Sequence, residues 1–206
     1  IKIILLIPGN ETDKENFTSI ETKHTRLLHG HLWEQIFLPI ITYKNLLINF
    51  CNTGPIFKHN QVVFIHDAAV FAFPKNFKIL FTTFYKIIII SIGSLSKKIL
   101  TVSNFSKKEL VKYCKFSPEK ITVIHGGVNH MENIQSDLST LTDLGLRKNS
   151  YALIVGSNHA LKNFKVIIEL QPLLNESSMD LALAIVGGQS KKIFHTPKIK
   201  SSNRVK

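Results

Sequence analysis

Short apolar runs recur along this chain, each bounded by polar or glycine- and proline-containing turns, and between them lie longer stretches with helical spacing. Residues 1–7 (IKIILLI) read as a buried strand ending at Pro8-Gly9, and residues 10–15 as a polar loop. Residues 32–43 (LWEQIFLPIITY) have helical spacing with Pro39 near the middle. Proline has no N–H and crowds the preceding turn, so two helical pieces or a kink are expected. Residues 46–50 form the next strand, residues 52–55 a turn, and residues 62–65 (VVFI) a strand that runs into His66-Asp67. Residues 77–96 (FKILFTTFYKIIIISIGSLS) contain four consecutive isoleucines, which by themselves suit a strand. They lie between two strands that need a crossover connection, so a helix is expected. The longest uncharged stretch there, residues 87–96, is far short of a membrane span, which takes about 18 or more residues. The helix is expected to be buried or to face a membrane without crossing it.

The clearest unit is residues 97–130. Residues 99–102 are a β-branched, apolar run fit for a parallel strand. Ser103 and Asn104 offer N-cap oxygens to the helix that follows. That helix places Phe105, Leu110, Val111 and Cys114 on one side and Lys107, Lys108, Lys112 and Lys115 largely on the other. Ser117-Pro118-Glu119 ends it in a tight turn, residues 121–124 are the second strand, and Gly126-Gly127 closes the unit with residues that accept positive φ. This is one βαβ turn of a Rossmann-like parallel sheet. Residues 131–150 turn polar and read as a linker with a short helix ending at Leu144-Gly145. Residues 151–155 (YALIV), 164–174 and 181–186 then spell strand, helix, strand, and the tail from Lys191 is basic and poor in apolar residues. The expected organisation is a first domain over 1–130, a linker over 131–150 and a partial second domain over 151–206. With two strands and one helix, that second domain buries little apolar area and is expected to be loosely held.

Composition narrows the picture. At 206 residues with 44% hydrophobic content, the chain is globular. Cys51 and Cys114 both have apolar neighbours and read as small buried hydrophobes in a reducing compartment. His24, His29 and His31 lack helical spacing and accompanying carboxylates, so solvated loop histidines are expected rather than a metal site. The net charge of +12 is spread along the chain without the aromatic-interleaved stripe of a nucleic-acid module. An anionic membrane surface or a phosphorylated substrate fits it better, and a biased base composition would also produce it. The chain does not begin with Met and shows no leader pattern, which suggests a segment of a longer protein.

In open α/β sheets ligands sit beyond the carboxyl ends of the strands. The candidates there are His66-Asp67, Ser103 with Ser106, Gly126-Gly127, and Gly156 through Lys162. Neither glycine pair has the GxGxxG spacing of a dinucleotide enzyme, and no P-loop is present. TVSNFSKKEL followed by KITVIHGGVNH, with LWEQIFLP, VVFIHDAAVFAFP and VGSNHALKNFKVIIE, resembles the retaining glycosyltransferases of family 4. Gly126 stands where that family usually has Asn.

The resemblance implies two Rossmann-like domains in the GT-B arrangement. It implies transfer of a hexose, with mannose a candidate, from a nucleotide-sugar donor to a polysaccharide or lipid-linked glycan acceptor. It implies no cofactor and no metal, and a cytoplasmic protein that can sit at the inner membrane face. By the same resemblance His66 reaches the donor sugar. Gly156, Ser157, Lys162 and Asn163 bind the diphosphate, and Asp67, Ser103, Ser106, Gly126 and Gly127 shape the cleft. Lys162 supplies a fixed cation where charge develops on the leaving phosphate. The plainer alternatives are a strand-end histidine satisfied by backbone, an Asp67 that caps the following loop, and a surface lysine at a helix start. Ala160-Leu161 replaces the Pro-Arg expected before that lysine. The family's glutamate pair and its glycine-rich acceptor loop have no match here. The chain therefore looks like about half of such an enzyme, and a non-catalytic α/β remnant acting as a binding module is the competing reading.

Overall fold

The computed structural model describes residues 2–8, 20–25, 28–132, 134–135, 137–156, 162–163, 165–176 and 181–187. The chain divides into two compact units, Ile1–Ala72 with Thr83–Gly126, and Phe73–Thr82 with Gly127–Lys206.

The first unit is built on a four-stranded parallel sheet in the order β3 (Leu47–Asn49), β4 (Gln61–Phe64), β5 (Lys98–Thr101), β6 (Ile121–Val123). The register aligns Val63 with Ile99 and Ile99 with Ile121, so these three side chains share one face. All three are at most 2% exposed. Period-two alternation explains why Gln61 and Thr101, two residues away on the same strands, are buried with them. Both polar groups are satisfied: Gln61 Nε2 donates to the Pro55 carbonyl at 2.8 Å, and Thr101 Oγ1 to the His66 carbonyl at 3.4 Å.

The helix expected over 77–96 is α4 (Ile79–Leu95), so the crossover requirement overrides the β-branched run. It buries Ile88, Ile89 and Ile92. Gly93 on the same helix lies against Phe116, and a Cβ there would come within 2.7 Å of the ring's Cε2.

Helix α5 (Asn104–Cys114) begins at Ser103, whose Oγ accepts the Ser106 N–H at 3.0 Å, and ends at Lys115 in the left-handed region with φ 59°. Its buried positions are Ser106, Leu110 and Cys114, spaced i, i+4, i+8. Phe105, expected on that face, is 73% exposed instead, because it lies one position off the buried row.

The segment expected to be helical with a break at Pro39 starts as α1 (Gly30–Leu32), widens to a π-helical turn over Trp33–Phe37 and continues as α2 (Leu38–Ile41). Pro39 would crowd the Gln35 carbonyl in a regular α-helix, and the widened turn ahead of it relieves that crowding.

Strand β1 (Ile4–Pro8) pairs in parallel with β2 (Glu21–Thr25), a polar strand (ETKHT) not expected from periodicity. Backbone pairing holds it, together with Lys2 and Lys23 on Glu21 at 2.6 and 3.3 Å. Thr25 ties it to its neighbours, donating to the Ile7 carbonyl at 3.3 Å and accepting from Trp33 Nε1 at 2.6 Å. His24 therefore lies on a strand, not in a loop.

In the second unit, α6 (Ser139–Asp143) precedes β7 (Tyr151–Val155), which pairs in parallel with β8 (Ala182–Val186) across α7 (Lys165–Glu176). Leu174 and Leu183 form its buried centre, with Ala152, Ile154, Leu181 and Ile185 packed around them. The expected tail from Lys191 lies outside the described residues.

Candidate functional site

Because β3 to β6 are parallel, their carboxyl ends share one edge, and the segments leaving them carry His66, Asp67, Ser103, Ser106 and Gly126. His66 leaves the sheet just after β4 and is held on three sides. Its N–H donates to Asn52 Oδ1 at 2.7 Å, its carbonyl accepts from Thr101, and its Nε2 lies 2.9 Å from the Phe50 carbonyl. A carbonyl oxygen can only accept, so Nε2 carries the ring proton and Nδ1 is the acceptor nitrogen of the neutral ring. The ring also packs on Phe64 with centroids 4.7 Å apart. Backbone satisfaction of Nε2, the plainer alternative for this histidine, is thus present, and it also fixes the tautomer.

Asp67 Oδ1 accepts the Ala69 N–H at 2.8 Å and so caps α3 (Ala69–Ala72). Ser103 and Ser106 are both engaged at the start of α5, the Ser103 hydroxyl donating to Ser106 Oγ at 3.2 Å. Their visible role is to set the helix N-terminus at the sheet edge. Gly126 and Gly127 depart from expectation. Neither takes a positive φ, and a Cβ on either would meet nothing within 4 Å. The left-handed conformations fall instead on Gly30, Gly145, Leu28, Lys115, Asn149 and Asn163.

The loop that holds His66 is itself anchored by residues that periodicity did not single out. Gln35 clamps it from both sides, Nε2 donating to the Gly54 carbonyl at 2.8 Å and Oε1 accepting the Ile56 N–H at 3.0 Å. Asn49 Nδ2 donates to Gln61 Oε1 at 2.8 Å, and Gln61 reaches Pro55 in turn. Lys58, 5% exposed, places Nζ among the carbonyls of Thr42, Tyr43 and Asn45, just past the end of α2, and burial lowers its pKa. Gln35 lies in the LWEQIFLP segment that carries part of the resemblance, but no role for it was expected there. Asn52 and Lys58 carry no signal in the sequence, because their roles depend on which carbonyls the fold brings close.

In the second unit Gly156 follows β7 and donates its N–H to the Val186 carbonyl at 2.9 Å. A Cβ at Gly156 would touch the Lys162 stem, 3.7 Å from its Cδ, so these two positions are adjacent. Lys162 and Asn163 are exposed, and Asn163 sits at φ 49° with its carbonyl accepting the Val166 N–H. Ser157 lies outside the described residues.

The histidines expected to be solvated do not converge. His29 precedes α1 and His31 Nδ1 meets Glu34 Oε2 at 3.2 Å. Among the described residues no three His, Cys, Asp or Glu side chains gather as a metal site. Of the two cysteines expected to be buried, Cys114 is, and burial pushes its thiol pKa up to about 12; Cys51 is exposed. Among the described residues no helix is long and apolar enough to cross a membrane.

Comparison with known proteins gives a model of Glycosyltransferase Family 4 matching residues 23–132, the stretch that includes His66, Asp67, Ser103, Ser106, Gly126 and Gly127. The chain is also similar to the O-antigen chain mannosyltransferase RfbU of Salmonella typhimurium, 29% identical over 136 residues. The aligned part is 65% of this chain and 35% of that protein, so the chain spans about a third of the length of this curated relative.

Proposed function

The chain belongs to glycosyltransferase family 4, and on that premise we propose that it serves transfer of a hexose from a nucleotide-sugar donor to a glycan acceptor, with retention at the anomeric carbon. Mannose is the first donor sugar to test, because the similar protein is a mannosyltransferase, and a polysaccharide or lipid-linked glycan is the acceptor class for the same reason.

The observation that carries this reading is His66. A histidine held by its backbone and by one ring nitrogen, at the ligand-binding edge of a parallel sheet, offers the other nitrogen to a sugar hydroxyl.

In the reaction the bond between the sugar's anomeric carbon and the diphosphate oxygen breaks, and its electron pair leaves with the phosphate. The acceptor hydroxyl bonds to the same face of the sugar and gives up its proton. Lys162 beside Gly156 is the cation proposed to receive the departing negative charge, with the N-terminal N–H groups of the following helix. Ser157 and Asn163 complete the proposed diphosphate contacts, and Asp67 and Ser103, by capping their helices, with Ser106 bonded to Ser103, are proposed to shape the cleft edge. No bound metal is needed in this scheme, because protein cations take that role. The two-domain division, cytoplasmic location and attachment to an anionic membrane belong to the same proposal.

The test is titration of the chain with uridine-, guanosine- and thymidine-diphosphate hexoses, followed by NMR chemical shifts. One donor is expected to shift the His66 ring signals, and Lys162→Ala is expected to weaken that donor's binding about tenfold, the loss of one charged hydrogen bond. If no nucleotide-sugar perturbs either residue, the donor assignment fails and the chain is a family member that does not bind donor.

A further inference from the structure

The groups that hold His66 belong to a stretch with no secondary structure of its own. The Phe50 carbonyl accepts the Nε2 proton at 2.9 Å, and Asn52 Oδ1 accepts the His66 N–H at 2.7 Å. Both lie between β3 and β4, where residues 50–60 form neither strand nor helix. Without a ladder or a helical turn to fix it, such a stretch depends on side-chain partners for much of its shape.

Gln35 reaches the middle of that stretch and uses its amide twice. Nε2 donates to the Gly54 carbonyl at 2.8 Å and Oε1 accepts the Ile56 N–H at 3.0 Å, as a neighbouring strand would. Two bonds to residues two apart set the segment's angle as well as its position, whereas one bond would let it pivot. Gly54 is also packed against Asn49, since a Cβ there would lie 2.9 Å from Asn49 Nδ2. Asn49 donates to Gln61 Oε1, and Gln61 donates to the Pro55 carbonyl. The segment is therefore gripped by Gln35 and by the Asn49–Gln61 pair. Gln35 itself sits in the widened turn Trp33–Phe37, in which the Leu38 N–H reaches back to the Trp33 carbonyl. Turns of this kind are rare and frequent at functional sites.

We infer that Gln35 is a positioning residue for His66. By clamping Gly54 and Ile56 it keeps Phe50 and Asn52 in place, so the ring holds its proton on Nε2 and offers Nδ1 to a sugar hydroxyl. A neutral imidazole can carry its proton on either nitrogen. If the Phe50 carbonyl moves away, the ring is free to turn and to exchange tautomers, and a donor then stands part of the time where an acceptor stood. This role rests on the donor reading of His66 and adds what orients the ring. Gln35 acts through the loop without touching the ligand.

Nitrogen-15 NMR of the ligand-free chain tests it, at about pH 8, where imidazoles are ordinarily neutral. The native His66 ring is expected to show two well-separated nitrogen signals, with Nε2 protonated. Gln35→Leu makes neither bond and is expected to draw the two signals towards each other, with circular dichroism confirming the fold. Gln35→Glu keeps the acceptor for Ile56 but loses the donor to Gly54, and is expected to fall between; it serves alone if Gln35→Leu does not fold. Gly93→Ala, which strains the core against Phe116, controls for lost stability and is expected to leave the signals in place. Donor affinity is expected to fall about fivefold in Gln35→Leu, the loss of one oriented neutral hydrogen bond. Converged signals in a chain that binds no nucleotide-sugar would uphold the positioning role and remove the donor reading. Unchanged signals in a folded Gln35 variant, or the same convergence in Gly93→Ala, overturn the inference.

Discussion

The two cysteines show how far a residue's chemistry depends on what surrounds it. Both sit in apolar sequence, yet Cys114 packs inside α5 while Cys51 lies exposed after β3, beside the Phe50 and Asn52 groups that hold His66. Thiol reactivity follows the thiolate, and burial keeps Cys114 protonated up to about pH 12. A thiol reagent at neutral pH is expected to label Cys51 alone in the folded protein and both residues in denaturant. Labelling of Cys114 at a comparable rate would contradict its burial. The sign of the pH effect follows. Cys114 has a folded pKa above the unfolded value of about 8.5, so its stabilising contribution is complete below that pH and is lost as pH rises from there towards 12. Cys114→Ala should flatten that part of the stability curve. At this scale the sequence identified Asp67 and Ser103 as cap residues, because capping is a local matter of an oxygen two or three residues from an N–H. It did not identify Asn52, whose acceptor role for His66 spans fourteen residues.

At the scale of elements, strands and helices followed the apolar pattern where the apolar run is long and unbroken. Residues 151–155 are a strand with the expected ends, and α4 lies within the expected 77–96. Strand β2 escaped notice because its side chains are polar and its stability comes from backbone pairing with β1, which leaves no trace in hydropathy. Packing between elements produced another feature invisible in the pattern. Gly93 interrupts an isoleucine-rich helix where helix propensity alone would favour alanine, and its reason is the Phe116 ring pressed against it. Gly93→Ala is accordingly expected to destabilise the protein by about 1–3 kcal/mol from overpacking, despite the better helix former. Chemical denaturation would check this, and a stabilised variant would show that Phe116 can move aside.

For the whole molecule, the two units differ in how much they bury. The first has a four-stranded sheet with Val63, Ile65, Ile99 and Leu110 fully enclosed, whereas the centre of the β7–α7–β8 unit rests on Leu174 and Leu183. Small cores are marginal, since a small domain withdraws less of its surface from water. Limited proteolysis is therefore expected to remove the β7–α7–β8 segment while a fragment containing β3 to β6 persists. Leu183→Ala, costing about 2–5 kcal/mol, should hasten the first cuts without changing the later ones. Simultaneous loss of both units would show that they unfold as one.

The sequence by itself determined the parallel α/β class, the order of its main elements, the family, and which residues stand beyond the strand ends. Each depends on local chemistry: apolar period, capping oxygens, and motifs whose spacing is contained within a few residues. Only the tertiary structure decided what those residues touch. It fixed His66 by Phe50, Asn52 and Thr101, tied the supporting loop to Gln35 and Lys58, and exposed Phe105 and Cys51. It also left Gly126 and Gly127 without conformational need of glycine. The physical reason is range. Periodicity reports which side of an element is apolar, whereas burial and hydrogen bonding between distant residues depend on how the elements pack, and no local pattern encodes that packing.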